Sequence, residues 1–368
     1  MAIQFDCPSC GASVRIRKNE EQVECPYCGS TVYVPREPGS VRLPATGLPD
    51  AGKSCRSVAI VVVATTLVGV AGVLVFLLSH GSAEIAEGVR SMVSTGGGGV
   101  EPVLSFGGEG MAPGRFDDPR NIAVDADGNI YVCEYTGGRV QVFDPEGGYV
   151  TEWNVKGEDV YVGGMDCSRD GRLYMAYGGD VWIHDGMTGE LVDVLQWGDG
   201  YGLEDVCIAS DGSAVAAWTV FEDDIIRYTP QGDVDLEIMN AISGQTGDSE
   251  LQMKLAVDGQ GNIYALGTFN GTVVRYTPDG RYTNRFGSDE DVPGGFTAPE
   301  AIVADATGRI LISDFDGIMI YDGNGLYLDT IPVDGFVFGM DVDDDNMLYA
   351  VSNSCMVYVF DLDALKGS

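Results

Sequence analysis

Ile122 to Val132 reads IAVDADGNIYV: a short apolar run, a turn rich in Asp and Gly, and a second apolar run. Such a stretch predicts two antiparallel strands around a tight hairpin, with Gly128 supplying the left-handed backbone that the turn needs. The pattern returns as MDCSRDGRLYM from Met165, VCIASDGSAVA from Val206, LAVDGQGNIYA from Leu255, IVADATGRILI from Ile302 and MDVDDDNMLYA from Met340. Aligned on the turn, the copies place Gly128, Gly171, Gly212, Gly261, Gly308 and Asn346 together, at intervals of 43, 41, 49, 47 and 38 residues.

Each copy runs on into a third strand that ends in a ring: VQVFD, VWIHD, IIRYT, VVRYT, IMIYD and VYVFD. A turn such as DPEGG or TPQGD then leads to a fourth strand. Four strands every ~40–45 residues is the period of a propeller blade. Residues 100–368 therefore read as a mainly β, six-bladed propeller. A linear solenoid would require capping repeats, and neither end carries one. The sixth copy stops at VYVFDLDALKGS, before a fourth strand, while VEPVLSFG (Val100 to Gly107) precedes the first copy and is similar to the fourth strands GYVTEWNV and GRYTNRFG. The N-terminal strand is expected to complete blade six and remove an unpaired edge.

The first copy, FGGEGMAPGRFDDPRNIAVDADGNIYVCEYTGGRVQVFDPEGGYV, resembles the NHL-repeat family, and the fourth and fifth match it in part. Copies two, three and six lack the G-x-F-x-x-P lead-in. The resemblance implies the six-bladed fold. NHL propellers joined across one membrane helix to a cytoplasmic signalling domain are known as a type, and this chain resembles that plan.

Val58 to Leu78 (VAIVVVATTLVGVAGVLVFLL) is free of charge. At about 1.5 Å per residue it spans roughly 30 Å, the thickness of a hydrocarbon core. Arg42, Lys53 and Arg56 precede it and the first basic residue after it is Arg90, which favours a cytoplasmic N terminus and an extracytoplasmic propeller. The expected organisation is a zinc module at 1–36, a linker at 37–57, a transmembrane helix at 58–78, a Gly-rich stalk at 79–99 and the propeller at 100–368.

Near the N terminus stand Cys7-Pro-Ser-Cys10-Gly and Cys25-Pro-Tyr-Cys28-Gly. Two CxxC pairs at this separation can supply four thiolates to one tetrahedral zinc ion and leave no position for water, so the metal would be structural. The pattern resembles the zinc-ribbon family over Phe5 to Val34, with Ser13 to Arg17 and Gln22 to Glu24 as its hairpin. Such a module is suited to a protein partner.

The chain carries a net charge of −35, and His80 to Ser368 holds fourteen basic against fifty acidic residues. Nucleic acid is thereby excluded as a partner of the propeller. His184 is its one histidine and aligns with Phe143, Tyr228, Tyr276, Tyr321 and Phe360, as a ring packed between blades; histidine-held metal and a Ser-His-Asp triad both lack support. The run Asp341, Asp343, Asp344, Asp345 coincides with a repeat turn and lacks the glycine and distal glutamate of an EF-hand. Cys133 in blade one and Cys355 in blade six are candidates for a disulfide across the closure.

Just before the inner strands lie Arg120, Asn121, Glu204, Asp205, Lys254 and Glu300, and just after second strands lie Glu134 and Asp314. These eight are expected to line one mouth of the central channel. Gluconolactonase-like propellers hold a divalent ion with carboxylates and an asparagine from such positions, which makes calcium or a similar ion the alternative here to a polar, water-filled mouth; Arg120 and Lys254 would repel it. Two functions follow. One is a membrane-anchored binding, scaffold or sensor protein whose propeller takes a protein, peptide or glycan; the other is a propeller hydrolase or lyase using a carboxylate-bound ion. Convergence of the carboxylates on one point separates them.

Overall fold

A computed structural model describes residues 100–157, 160–198, 202–220, 222–287 and 294–365, with four short strands near the N terminus. The chain forms two compact units, Met1–Gly96 and Gly97–Ser368.

In the first unit β1 (Ala2–Asp6) pairs with β2 (Ser13–Arg17), and β3 (Gln22–Glu24) with β4 (Thr31–Tyr33). This corrects the expected hairpin: Ser13–Arg17 and Gln22–Glu24 each pair across a CPxCG segment instead of with one another. The register places Ile3 opposite Ile16 and Phe5 opposite Val14. Cys7, Cys10, Cys25 and Cys28, the linker, Val58 to Leu78 and the stalk lie outside the described residues. Among the described residues no helix is long and apolar enough to cross a membrane.

The second unit is a six-bladed propeller. After β5 (Leu104–Gly107), blade one holds β6 (Pro119–Val124), β7 (Ile130–Glu134), β8 (Arg139–Phe143) and β9 (Tyr149–Asn154). Blade two holds β10 (Gly164–Cys167), β11 (Arg172–Tyr177), β12 (Asp180–Asp185) and β13 (Leu191–Leu195). Blade three holds β14 (Leu203–Ile208), β15 (Ala214–Trp218), β16 (Asp224–Tyr228) and β17 (Val234–Ile238). A short helix, α1 (Ser243–Thr246), leads to blade four: β18 (Met253–Val257), β19 (Ile263–Gly267), β20 (Thr272–Tyr276) and β21 (Tyr282–Gly287). Blade five holds β22 (Ile302–Ala304), β23 (Ile310–Asp314), β24 (Gly317–Tyr321) and β25 (Tyr327–Ile331), and blade six β26 (Val337–Val342), β27 (Met347–Ser352) and β28 (Met356–Asp361). All pairs are antiparallel and consecutive, except that β5 pairs with β28 as the fourth strand of blade six.

The middle strands are buried on both faces because each blade is sandwiched between two others: every residue of β7, β8, β19, β23 and β24 is buried. The outermost strands face solvent, and β9 alternates exposed with half-buried residues. The aligned rings fill the space between blades. Tyr228, Tyr276, Tyr321, Phe143 and Phe360 are almost wholly buried, and His184 occupies the equivalent place, 5.3 Å from the Trp153 ring. The six turn residues all have positive φ, from 59° at Asn346 to 85° at Gly212. In blade six the Asp343 carboxylate accepts the Asp345 and Met347 amides at 3.0 and 2.9 Å, so the acidic run closes a turn.

Cys133, Cys167, Cys207 and Cys355 are free thiols. Cys133 packs between blades one and two and Cys355 between blades six and one, so they lie on opposite sides of blade one and no disulfide joins them.

Candidate functional site

The inner strands β6, β10, β14, β18, β22 and β26 surround a channel that contains two cavities. The larger, ≈ 440 Å³, opens at the face where the inner strands begin. Arg120, Asn121, Glu204, Lys254 and Glu300 line it. Asp205 lies one step deeper, against the second cavity.

Lys254 forms the floor of the mouth. Its Nζ donates to the Gly163 carbonyl of blade two at 2.6 Å and pairs with Asp205 of blade three at 3.4 Å. Burial raises the Asp205 pKa and the Lys254 ammonium opposes that rise. Asn121 donates through Nδ2 to the Val162 carbonyl at 3.0 Å, tying blade one to the start of blade two.

Arg120 is held differently. Its guanidinium is sandwiched between the rings of Tyr135 and Phe338, 4.5 and 4.6 Å from their centroids, and Nε donates to Asp118 at 3.0 Å. Tyr161 stands 5.5 Å from Tyr135. Glu300 is half-buried; desolvation raises its pKa, and Lys254 and Arg120 draw it back down. Among the described residues no hydrogen bond or ion pair engages the carboxylates of Glu204 and Glu300, and both residues line the cavity.

Glu134 and Asp314 are not at the mouth. Glu134 forms a buried pair with Arg139, Oε1 to Nη2 at 2.6 Å, and accepts the Asp117 amide at 2.9 Å. Asp314 accepts the amides of Thr297 and Ala298 at 2.9 and 3.0 Å. Each fastens the Phe-x-x-Pro loop leading into its own blade, Phe116 to Pro119 or Phe296 to Pro299, and accepts further bonds from Arg139 and from the Phe315 amide respectively. The eight candidates therefore separate into five that line the mouth, Asp205 below it and two loop anchors.

Sequence reasoning missed the aromatic wall. Phe338 occupies the repeat position of Arg120, Glu204 and Glu300, and Tyr135 follows Glu134, so the alignment carried both; a search restricted to polar residues passed over them. It also missed the second cavity, ≈ 280 Å³, at the end of the channel bordered by the inner hairpin turns and lined by Asp166, Asp205, Cys207 and Asp341. Asp166 and Asp341 share one repeat position, five residues before the turn residue. Burial pushes the Asp166 carboxyl up to about 7 and the Asp341 carboxyl well above the usual range; the charge of Asp205 adds to the first rise and that of Asp166 to the second.

The carboxylates do not converge. Among the described residues no three His, Cys, Asp or Glu side chains gather as a metal group, and the Lys254 ammonium occupies the neighbourhood of Asp205. This donor set does not fit a resident divalent ion. What it can do is hold a polar ligand against rings, with two acceptor carboxylates and one oriented guanidinium.

The NHL repeat family model matches residues 116–143, which run from the anchored Phe116 through β8. Solved structures of the same fold include a gluconolactonase from Xanthomonas campestris, 16% identical, covering 73% of this chain and 99% of its own, at a TM-score of 0.53. A gluconolactonase candidate from a structural genomics programme is 16% identical, covering 71% and 93%, at 0.54. A luciferin-regenerating enzyme is 13% identical, covering 72% and 95%, at 0.52. At these identities the likeness is one of fold.

Proposed function

We propose that the propeller is a ligand-binding module whose site is the channel mouth. The observation that carries this reading is the meeting of Arg120, Glu204, Lys254 and Glu300 with Tyr135, Tyr161 and Phe338 around one ≈ 440 Å³ cavity. The polar groups fix the orientation of a ligand and the rings supply contact area. In this reading Val58 to Leu78 anchors the chain in a membrane with the propeller outside, and Cys7, Cys10, Cys25 and Cys28 hold a structural zinc in a cytoplasmic module that meets a protein partner.

A second reading is lactone or ester hydrolysis in the same cavity, supported by the gluconolactonase structures of like fold. The mouth offers two open carboxylates and two cations instead of three convergent acids, so no step is derived through a metal ion.

One experiment tests both. Calcium, magnesium, manganese and zinc, then sugar lactones, sugar acids and amino acids, are titrated into the full-length protein while heat and melting temperature are followed. Saturable binding of an organic ligand that Arg120→Ala and Glu300→Gln each weaken about tenfold or more supports the binding reading. Metal binding abolished by Glu204→Gln together with ion-dependent lactone hydrolysis moves the conclusion to the hydrolase. Binding of neither kind at the mouth overturns both.

A further inference from the structure

We infer that the face bearing this mouth docks a protein segment in which a Lys or Arg side chain is flanked by large apolar residues, the basic side chain entering the cavity between Glu204 and Glu300. The inference rests on the reading of the mouth as a ligand site and names what occupies it. Two separate observations carry it.

The first is the chemistry of the loop tips. In each blade, the loops after the second and fourth strands lie on the same face as the mouth, because the inner strand runs away from it and its neighbours alternate in direction. On that face Met111, Tyr161, Val220, Leu251, Phe269 and Phe315 are exposed, Phe269 by 66% and Phe315 by 74%. A Phe at the tip of a two-strand connection adds nothing to the core, and its exposure costs solvation. On the opposite face the inner hairpin tips are closed by Asp125, Asp258, Asp305 and Asp343, whose carboxylates accept the turn's own amides. Apolar tips thus surround this mouth, the opposite face carrying Met187 and Leu326 as exposed apolar loop residues, and Tyr161 and Val220 are continuous with the cavity wall.

The second is charge. Glu204 and Glu300 at the mouth, Asp205 below it and Asp118 beside it stand against Arg120 and Lys254, and Arg120 is already paired with Asp118 and Lys254 with Asp205. The charge left over is that of Glu204 and Glu300, within a chain of net charge −35. An ammonium or guanidinium compensates it, and the nearby rings favour a cation on their faces. A glycan offers neither a cation nor apolar side chains to the ring of tips. A second copy of this chain brings the same negative field and is repelled. An apolar, basic segment satisfies both the rim and the centre, which is the division of labour between anchor and surround in a protein interface.

The test is selection of a random-peptide phage display library on the immobilised full-length protein, with the Glu204→Gln/Glu300→Gln protein as counter-selection. The expected peptides carry Lys or Arg flanked by Leu, Phe or Trp. Synthesised, they should bind the Glu204→Gln/Glu300→Gln protein and a Phe269→Ser/Phe315→Ser protein each about tenfold or more weakly. Both pairs of changes are at accessible side chains, and unchanged melting temperatures will show that the fold is intact. Acidic or purely polar peptides, peptides that bind both variants as well as the parent, or no enrichment at all would overturn the inference. If the protein still binds a small ligand through Arg120 and Glu300 in that case, the mouth remains a ligand site and only the assignment of its occupant fails. Concentration-dependent dimerisation lost in Phe269→Ser/Phe315→Ser would assign the face to a second copy and overturn it too.

Discussion

Glu134 and Glu300 look alike in the sequence, each an acid at or near the end of a strand on the mouth side of its blade, yet their surroundings give them opposite roles. Glu134 is buried, bidentate with Arg139 and bonded to the Asp117 amide, and Arg139 also donates to the Met111 and Arg115 carbonyls at 3.1 and 2.8 Å. Removing one member of such a set strands the other's charge in the interior. Glu134→Ala is therefore expected to lower the unfolding free energy by about 3–5 kcal/mol in a urea titration. Glu300→Gln gives up only an open carboxylate and should stay within about 0.5 kcal/mol of the parent while ligand affinity falls. The same distinction holds for His184. Its Nε2 meets the Tyr177 hydroxyl at 3.0 Å and its Nδ1 the Gly189 carbonyl at 3.1 Å, so both nitrogens are satisfied inside the packing, and burial lowers its pKa.

At the scale of the strand, one device recurs on the inner ring. Asp166 of β10 accepts the Ile208 amide of β14 at 2.6 Å, Asp205 of β14 accepts the Leu255 amide of β18 at 2.8 Å, and Asp341 of β26 accepts the Val124 amide of β6 at 2.8 Å. Each carboxyl bridges to the next blade, and only Asp205 has a cation beside it. The groups around Asp166 and Asp341 are Asp205, Asp125 and Asp343, with the thiols of Cys167 and Cys207. Because the folded pKa values lie above the unfolded value of about 3.8, the folded state binds protons that the unfolded chain has released, and stability falls as pH rises towards about 7. The melting temperature is expected to be higher at pH 5 than at pH 8, and Asp166→Asn, which keeps the shape without the charge, should flatten that slope. A melting temperature that rises steadily from pH 5 to 8 would refute this account. The repeat was legible because its turn demands Gly or Asn and its rings must fill equal gaps, both constraints of residue type. The roles of individual acids were not, because a carboxylate that anchors a loop and one that faces a cavity have the same spacing and differ only in which amides lie within reach. Glu134 and Asp314 declare themselves only once the Phe116 and Phe296 loops are in place.

For the whole propeller the decisive contact is the closure. It was readable in advance, since VEPVLSFG was a fourth strand without a blade and VYVFD a blade without a fourth strand. β5 pairs with β28 over Leu104 to Gly107, the Val103 amide donates to the Val359 carbonyl at 2.8 Å, and Phe106 packs on Phe143 of blade one at 4.7 Å between centroids. The strand thus completes the hydrogen bonding of blade six and also fills the seam with blade one, whose shared core includes Phe116, Ile122, Val351 and Val357. Losing the ring alone and losing the strand should differ in kind. Phe106→Ala removes a half-buried side chain and is expected to cost about 2 kcal/mol, below the ~3–5 kcal/mol of a fully buried ring, with the transition still cooperative. Deleting residues 100–107 leaves the Val357 and Val359 edge of β28 unpaired in a barrel that must close on itself. That edge is a template for other chains, so the deletion should convert a monodisperse species into aggregates in light scattering and broaden or abolish the thermal transition. A deleted protein that stays monodisperse and melts within a few degrees of the parent would mean that the blades are held by their mutual packing alone and that closure by β5 is dispensable.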